Sequence, residues 1–148
     1  MTETTEEIVV GVDGSEQSVE ALRLAARVAS GLGVAIRVVG TWDYPSEYAG
    51  YVPLGSDNFD EITRNRLDKA LVEAFGGDRP ARLSTKVVFG HASKVLVEES
   101  RDAVMLVVGR RGHGGFRGLL MGSVSAACVS HATCPVLVTH GDGTEPAA

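Results

Sequence analysis

Glu7-Ile-Val-Val-Gly-Val12, followed by Asp13-Gly14-Ser15, is the stretch that decides the fold class. A short run of β-branched residues reads as a buried strand, and Asp-Gly-Ser closes it as a turn. Ser15 suits a helix N-cap, and Glu16 falls in the first turn, where the helix dipole favours an acid. Val19, Leu22, Ala25, Ala26 and Ala29 then share one helical face, with Glu20, Arg23 and Arg27 elsewhere, up to a stop at Gly31 or Gly33. Strand, turn and amphipathic helix make the first half of a βαβ unit.

The same alternation continues to the end of the sequence. Strands are expected over Val34 to Thr41, Leu83 to Phe89, Ala103 to Val108 and Pro135 to Thr139. Helices are expected over Phe59 to Phe75 (closed by Gly76-Gly77), Ser93 to Ser100, and from about Ser123. Five strands alternating with helices predict an α/β fold: an open, five-stranded, mainly parallel sheet with helices on both faces, Rossmann-like. Such sheets bind ligands outside the carboxyl ends of their strands, where the strand order reverses. The loops after Val12, Thr41, Phe89 and Val108 are therefore the places to search.

At 148 residues the chain suits one domain, with an ordered core over 6–140 and a polar, flexible tail over 141–148. A net charge of −5 argues against general binding to nucleic acid or to a membrane surface. The N-terminal segment carries acids and no basic region, and no apolar run nears the roughly 18 residues of a membrane span, so a cytoplasmic protein is expected. The two cysteines, Cys128 and Cys134, read as small buried hydrophobes.

The chemistry concentrates in Gly109-Arg-Arg-Gly112-His-Gly-Gly-Phe-Arg-Gly118-Leu-Leu-Met-Gly122-Ser123-Val124-Ser125, with six glycines between Gly109 and Gly122. Glycines let a ligand approach the main chain, so that successive N–H groups form an anion-binding nest. Gly122-Ser123 leads into a helix whose first N–H groups attract phosphate. From Ala103 through Gly141 there is no Asp or Glu, while Arg110, Arg111 and Arg117 lie in that span. Composition alone fits an anion site (Arg110, Gly112, His113, Gly114 and Ser125 included) and a solvated surface loop equally.

The spacing Gly109-x2-Gly112-x9-Gly122-Ser123 resembles the phosphate- and ribose-binding signature of the ATP-binding branch of the universal stress protein family, UspA-like proteins with an adenine nucleotide α-hydrolase-like fold. The resemblance extends to Ile8-Val-Val-Gly-Val-Asp-Gly-Ser15, to Val88-Phe-Gly-His91 and to Cys134-Pro-Val-Leu-Val138, so it spans nearly the whole chain. It implies adjacent first and fourth strands at the switch point. It also implies Asp13 at the nucleoside, the Gly11–Val12 main chain beside adenine, and the Thr41 main chain hydrogen-bonding adenine. Gly109 and Gly112 would approach ribose and phosphate, and Gly122, Ser123 and Val124 would bind the β- and γ-phosphates through N–H groups and the Ser123 hydroxyl. The implied cofactor is ATP (or ADP or AMP) with Mg, and the implied assembly is a homodimer through the edge strand Pro135 to Thr139. Read as residues alone, Asp13 can equally form an Asx turn and Ser123 a simple N-cap.

Trp42, Tyr44, Tyr48 and Tyr51 put half of the eight aromatics into ten residues, as an aromatic lid or, more ordinarily, as packing at the sheet edge. His91 is expected to begin the third helix, and none of the four histidines forms a metal-ligating pattern. The charged face with Asp60, Glu61, Arg64, Arg66, Asp68 and Lys69 reads as solvated.

Three functions compete: a nucleotide-dependent regulatory module with an unidentified protein partner, a slow ATPase or phosphotransferase, and a dimeric interaction module without nucleotide. The sequence lacks G-x4-G-K-[ST], a G-x-G-x-x-G after the first strand, H-x-G-H and the S-G-G-x-D-S loop of ATP pyrophosphatases. Dedicated catalysis is thereby disfavoured, with slow hydrolysis the most that is expected.

Overall fold

The computed structural model describes residues 6–44, 58–110 and 121–140. Its elements are β1 (Glu7–Gly11), α1 (Glu16–Leu32), β2 (Ala35–Trp42), α2 (Phe59–Phe75), β3 (Leu83–Phe89), α3 (Ala92–Glu99), β4 (Met105–Gly109), α4 (Ser123–His131) and β5 (Val136–Thr139). They form one five-stranded sheet in the order β3-β2-β1-β4-β5, with every neighbouring pair parallel. The order runs outward from β1 in one direction, then restarts at β4 on its other side. The expected adjacency of first and fourth strands is present, with Val10 opposite Val107.

That reversal puts the first two crossover helices, α1 and α2, on one face of the sheet and the last two, α3 and α4, on the other. Ile8, Val10, Ile36, Val38 and Val107 pack with α1 and α2 residues such as Leu22, Ala25, Leu67 and Leu71. Val9, Val39, Leu106 and Val108 face the other way, onto Val95 and Leu96 of α3 and Cys128 of α4. Period-two alternation along β1, β2 and β4 therefore serves two cores, which is why these strands read as continuous apolar runs rather than as half-polar ones.

Local chemistry sets the helix ends. The Ser18 N–H donates to Ser15 Oγ at 3.2 Å, and α1 stops at Gly33, left-handed with φ +70°. Gly76, at φ +60°, stops α2, its N–H bonding Val72 O at 2.8 Å. The fourth strand starts at Met105 rather than Ala103, because the Ala103 N–H is spent on Ser100 O in the turn after α3. His91 occupies the cap position of α3, but its imidazole makes no capping bond; its Nδ1 lies 3.1 Å from Ser93 Oγ instead.

Arg37, on β2, knits the α3 face together. Its Nε sits 2.9 Å from Glu7 Oε1, one terminal nitrogen 2.6 Å from Glu99 Oε1, and the other donates to the Glu99 carbonyl at 2.8 Å. Lys86 joins from β3, 3.0 Å from Glu99 Oε1. Three strands are thus tied to the C-terminal end of α3, where cations also suit the helix dipole.

Candidate functional site

The carboxyl ends of β1 and β4 lie side by side, and the backbone leaves them toward opposite faces, β1 into α1 and β4 toward α4. A crevice is built into that divergence. Its two walls are the β1–α1 turn and the residues that join β4 to α4.

On the β1 wall, the Val12 N–H donates to Val39 O at 3.0 Å, extending the ladder one residue past the strand. Asp13 Oδ1 accepts the Ser15 N–H at 2.9 Å, so the Asx-turn role exists. A carboxylate has about four acceptor sites, and this bond leaves the ribose role chemically compatible with it. Gly14 takes φ +87°, a left-handed conformation that a side chain would strain, and the stem of Arg66 lies across it. At Gly11 an added Cβ would come 2.7 Å from Leu96 Cδ1, so that glycine makes room for α3.

Thr41 belongs to this wall through backbone parity. Val39 O bonds the β1 side, whereas Trp42 O accepts Gly90 N–H from the β3 side. Main-chain groups alternate sides along a strand, so those of Thr41 turn toward β1, two residues beyond the last β1 pairing at Val39.

On the β4 wall, the Arg110 N–H bonds Thr139 O at 2.9 Å. The Arg110 carbonyl receives both the Gly122 N–H at 2.7 Å and Ser125 Oγ at 2.6 Å. One carbonyl oxygen thereby pins the two ends of the glycine stretch together. This revises two expectations. The Gly122 N–H is committed to Arg110, and the Ser125 hydroxyl to Arg110 and, at 3.2 Å, to Gly122 O. Gly122 rather than Ser123 is the N-cap of α4, with φ −76°, ψ 170° and its carbonyl accepting the Ala126 N–H; Ser123 is the first helical residue. Among the described residues, the donors left at this helix start are the first-turn N–H groups of Ser123, Val124 and Ser125 with the exposed Ser123 hydroxyl.

Gly109 also takes a different meaning. An added Cβ there would meet Gln17 Cβ at 2.9 Å and the Gln17 backbone carbonyl carbon and oxygen at 3.1 and 3.2 Å. It points into the first turn of α1, not into the crevice. Glycine at 109 lets β4 and α1 approach, and Thr139 Oγ1, 3.4 Å from Gln17 O, closes the same junction. Neither Gln17 nor Thr139 announces this in the sequence. Arg111, Gly112, His113, Gly114, Phe116, Arg117, Leu119 and Leu120 lie outside the described residues.

Beside the Thr41 end stands a four-ring cluster. Trp42 and Phe89 meet edge-on at 4.7 Å between centroids, Trp42 and Phe59 stack at 6.2 Å, and Tyr44 lies 5.6 Å from both Trp42 and Phe89. Trp42 and Tyr44 pack at the sheet edge with partners that adjacency in sequence did not reveal; Trp42 opposite Phe89 in the β2–β3 register would have. Tyr48 and Tyr51 fall outside the described residues. At the far end of α4, Cys128 is fully buried, and burial, with Cys134 nearby, pushes its thiol up to about 11.

The family model described as the universal stress protein family matches residues 4–140. The chain belongs to the universal stress protein family. Among its relatives, the universal stress proteins Rv2005c and MT3220 of Mycobacterium tuberculosis are each 34% identical, over 145 and 140 residues. These cover 91% and 95% of this chain but 48% and 50% of those proteins. This universal stress protein thus spans about half the length of the curated relatives it matches. UspA from Lactobacillus plantarum shares the fold at a TM-score of 0.74 and 17% identity, over 94% of this chain and all of that one. A universal stress protein solved in complex with cAMP superposes at 0.62 with 26% identity, over 95% of this chain and all of its own. Among the described residues, no helix is long and apolar enough to cross a membrane.

Proposed function

We propose that this universal stress protein binds an adenine nucleotide, ATP with Mg in its fullest form, and acts as a regulatory module whose output is occupancy rather than turnover. The observation that carries the reading is the pinned base of the glycine stretch. One carbonyl, Arg110 O, holds the start of α4 against the carboxyl end of β4, so that the N–H groups of Ser123 and Val124 open on the crevice. That helix start also brings no acid of its own, whereas α1 has Glu16 and α2 has Asp60 and Glu61 in the first turn. An external anion can supply the missing negative charge.

The rest of the donor set fits a nucleoside. The Thr41 main chain faces the adenine position beside the Gly11–Val12 main chain, and Asp13 offers a carboxylate to ribose. Gly109 serves by packing, Gly122 and Ser125 by fixing the cradle, and Arg110, Gly112, His113 and Gly114 complete the phosphate side. The cAMP complex of a relative 26% identical supports the same ligand class. A homodimer through β5 is part of this reading: β5 is terminal in the sheet, and an unpaired apolar edge is a liability in a monomer. We keep the cytoplasm as its expected location.

The experiment is nucleotide extraction from the purified protein with mass analysis, followed by calorimetry with ATP, ADP and AMP. Bound or titratable nucleotide is expected; an empty site with no heat from any of the three overturns the reading. Ser123→Pro localises it. Proline is tolerated at the first helical position and removes one N–H and the hydroxyl together, so affinity should drop at least about tenfold with the melting temperature held. A slow ATPase stands as the second reading, and multiple turnovers lost in Asp13→Ala would favour it.

A further inference from the structure

Thr139, the last residue of β5, is buried at 6% exposure and is bonded to both walls of the crevice at once. Its carbonyl accepts the Arg110 N–H at 2.9 Å, and its hydroxyl donates to the Gln17 carbonyl at 3.4 Å. Side chains alternate along the strand: Leu137 packs into the α1/α2 core, and Val136 and Val138 into the α3/α4 core. Position 139 therefore turns its side chain back toward α1. An apolar strand thus ends on a hydroxyl at the register position opposite Gly109, where β4 meets the first turn of α1.

Each bond continues into residues that the nucleotide reading assigns to the ligand. Gln17 lies in the turn that Ser15 caps, and the Ser15 N–H is the donor to Asp13 Oδ1. On the other wall, the Arg110 carbonyl accepts the Gly122 N–H and the Ser125 hydroxyl, which set the start of α4. The path from Asp13 to Ser123 therefore runs through hydrogen bonds and neighbouring residues by way of Thr139. The β1–β4 register ends lower in the sheet, at Val10 opposite Val107, before the strands reach Asp13 and Arg110.

We infer that Thr139 is a positioning residue for the nucleotide, acting through Gln17 and Arg110 to fix the spacing between the nucleoside wall and the phosphate wall. This rests on the nucleotide reading above and adds the residue that sets the register of its two halves. A ligand that spans both walls gains when they are held at the right spacing, because binding of one half presents the other at high effective concentration. A ligand confined to one wall gains nothing from that spacing.

The test is binding to the full chain, freed of nucleotide, of ATP, which spans the walls, and of adenosine and inorganic tripolyphosphate, which each take one. The two fragments are read as competitors of ATP. Thr139→Val keeps the shape, suits a strand and removes the hydroxyl; Thr139→Ser keeps the hydroxyl and removes a methyl. The hydroxyl bond is long, so a moderate loss is expected: Thr139→Val should weaken ATP about fivefold and each fragment less than about twofold. Thr139→Ser should bind ATP as wild type does. Packing alone gives the reverse order, with serine the worse variant, and that order overturns the inference. Wild-type ATP affinity in Thr139→Val also overturns it, as does a fragment weakened as much as ATP, which marks damage to one wall rather than a change in spacing. A fragment that fails to compete with wild-type protein even at millimolar concentration shows a wall with nothing to position, and overturns it too. If wild-type protein binds no ATP, the nucleotide reading falls and the role of Thr139 falls with it.

Discussion

Gly109→Ala separates two accounts of the glycine that opens the G-x2-G-x9-G-S spacing. If glycine is there to admit phosphate, alanine costs ligand affinity and leaves the empty protein unharmed. The geometry gives the opposite result. The new methyl would lie 2.9 Å from Gln17 Cβ and 3.1 and 3.2 Å from the Gln17 backbone carbonyl carbon and oxygen. Those backbone atoms belong to the first turn of α1, which Ser15 caps through the Ser18 N–H and whose Gln17 carbonyl also meets Thr139 Oγ1. Such a wall yields only by shifting a helix against the sheet, so the upper part of the usual overpacking range, about 2–3 kcal/mol, is expected. Gly11→Ala is the control. Its methyl would meet Leu96 Cδ1 at 2.7 Å, the far end of a flexible side chain, and a rotamer change limits the cost to about 1 kcal/mol. The assay is urea denaturation of nucleotide-free protein. Gly109→Ala should lower the midpoint by about 1 M with an unchanged slope, roughly twice the effect of Gly11→Ala. A nucleotide-free Gly109→Ala protein as stable as wild type, yet defective in binding, would refute the packing account and restore phosphate to the space beside Gly109.

Two further tests concern the support of the site. Arg37→Met removes the cation that joins Glu7, the Glu99 carboxylate and the Glu99 carbonyl; about 1–3 kcal/mol should be lost, and a double-mutant cycle with Glu99→Gln should show coupling above about 0.5 kcal/mol. Cys128, raised from 9.0 to about 11, stays protonated in the fold after the unfolded protein has begun to release its proton. Its contribution is fully present below about pH 9 and is lost as pH rises toward 11, on the order of 2 kcal/mol, and urea midpoints against pH should lose that slope in Cys128→Ala.

The sheet was legible because its central strands, β1, β2 and β4, are buried on both faces. Ile8, Val9 and Val10 have no polar position to confuse the pattern, and Asp13-Gly14-Ser15 supplies the turn and the cap in three residues. Strand ends were legible only to within one or two positions, since Val12 and Ala103 make ladder or turn bonds that apolar character does not distinguish. The strand order was not legible, and only the adjacency of β1 and β4 came from resemblance, because no local signal states that β4 returns to the side of β1. Within the candidate site, the loops after Val12 and Thr41 were marked for search by their places at strand ends, while the role expected of the Thr41 main chain came from resemblance. The packing role of Gly109 was not legible, since a glycine permits close approach without saying what approaches. The double acceptance at the Arg110 carbonyl could not be read at all: a backbone oxygen carries no sequence signature, and Ser125 resembles any other helical serine. Phe59 and Phe89 escaped the aromatic count because they are neighbours of Trp42 across elements rather than along the sequence.

The pairing of β1 with β4 joins Ile8 to Met105, segments far apart in the chain, and it has a consequence for how the protein comes into being. Synthesis delivers β1, β2 and β3 first, and those three can pair in order. Until β4 arrives, β1 is an edge strand, and Ile8, Val9 and Val10, fully buried in the finished molecule, border an open row of hydrogen-bonding groups. The nascent polypeptide therefore carries its most adhesive surface at the place where the crevice will later form. One and the same late event, the docking of β4, removes that hazard and creates the crevice, so a molecule able to bind at both walls is one that has already escaped its most dangerous intermediate.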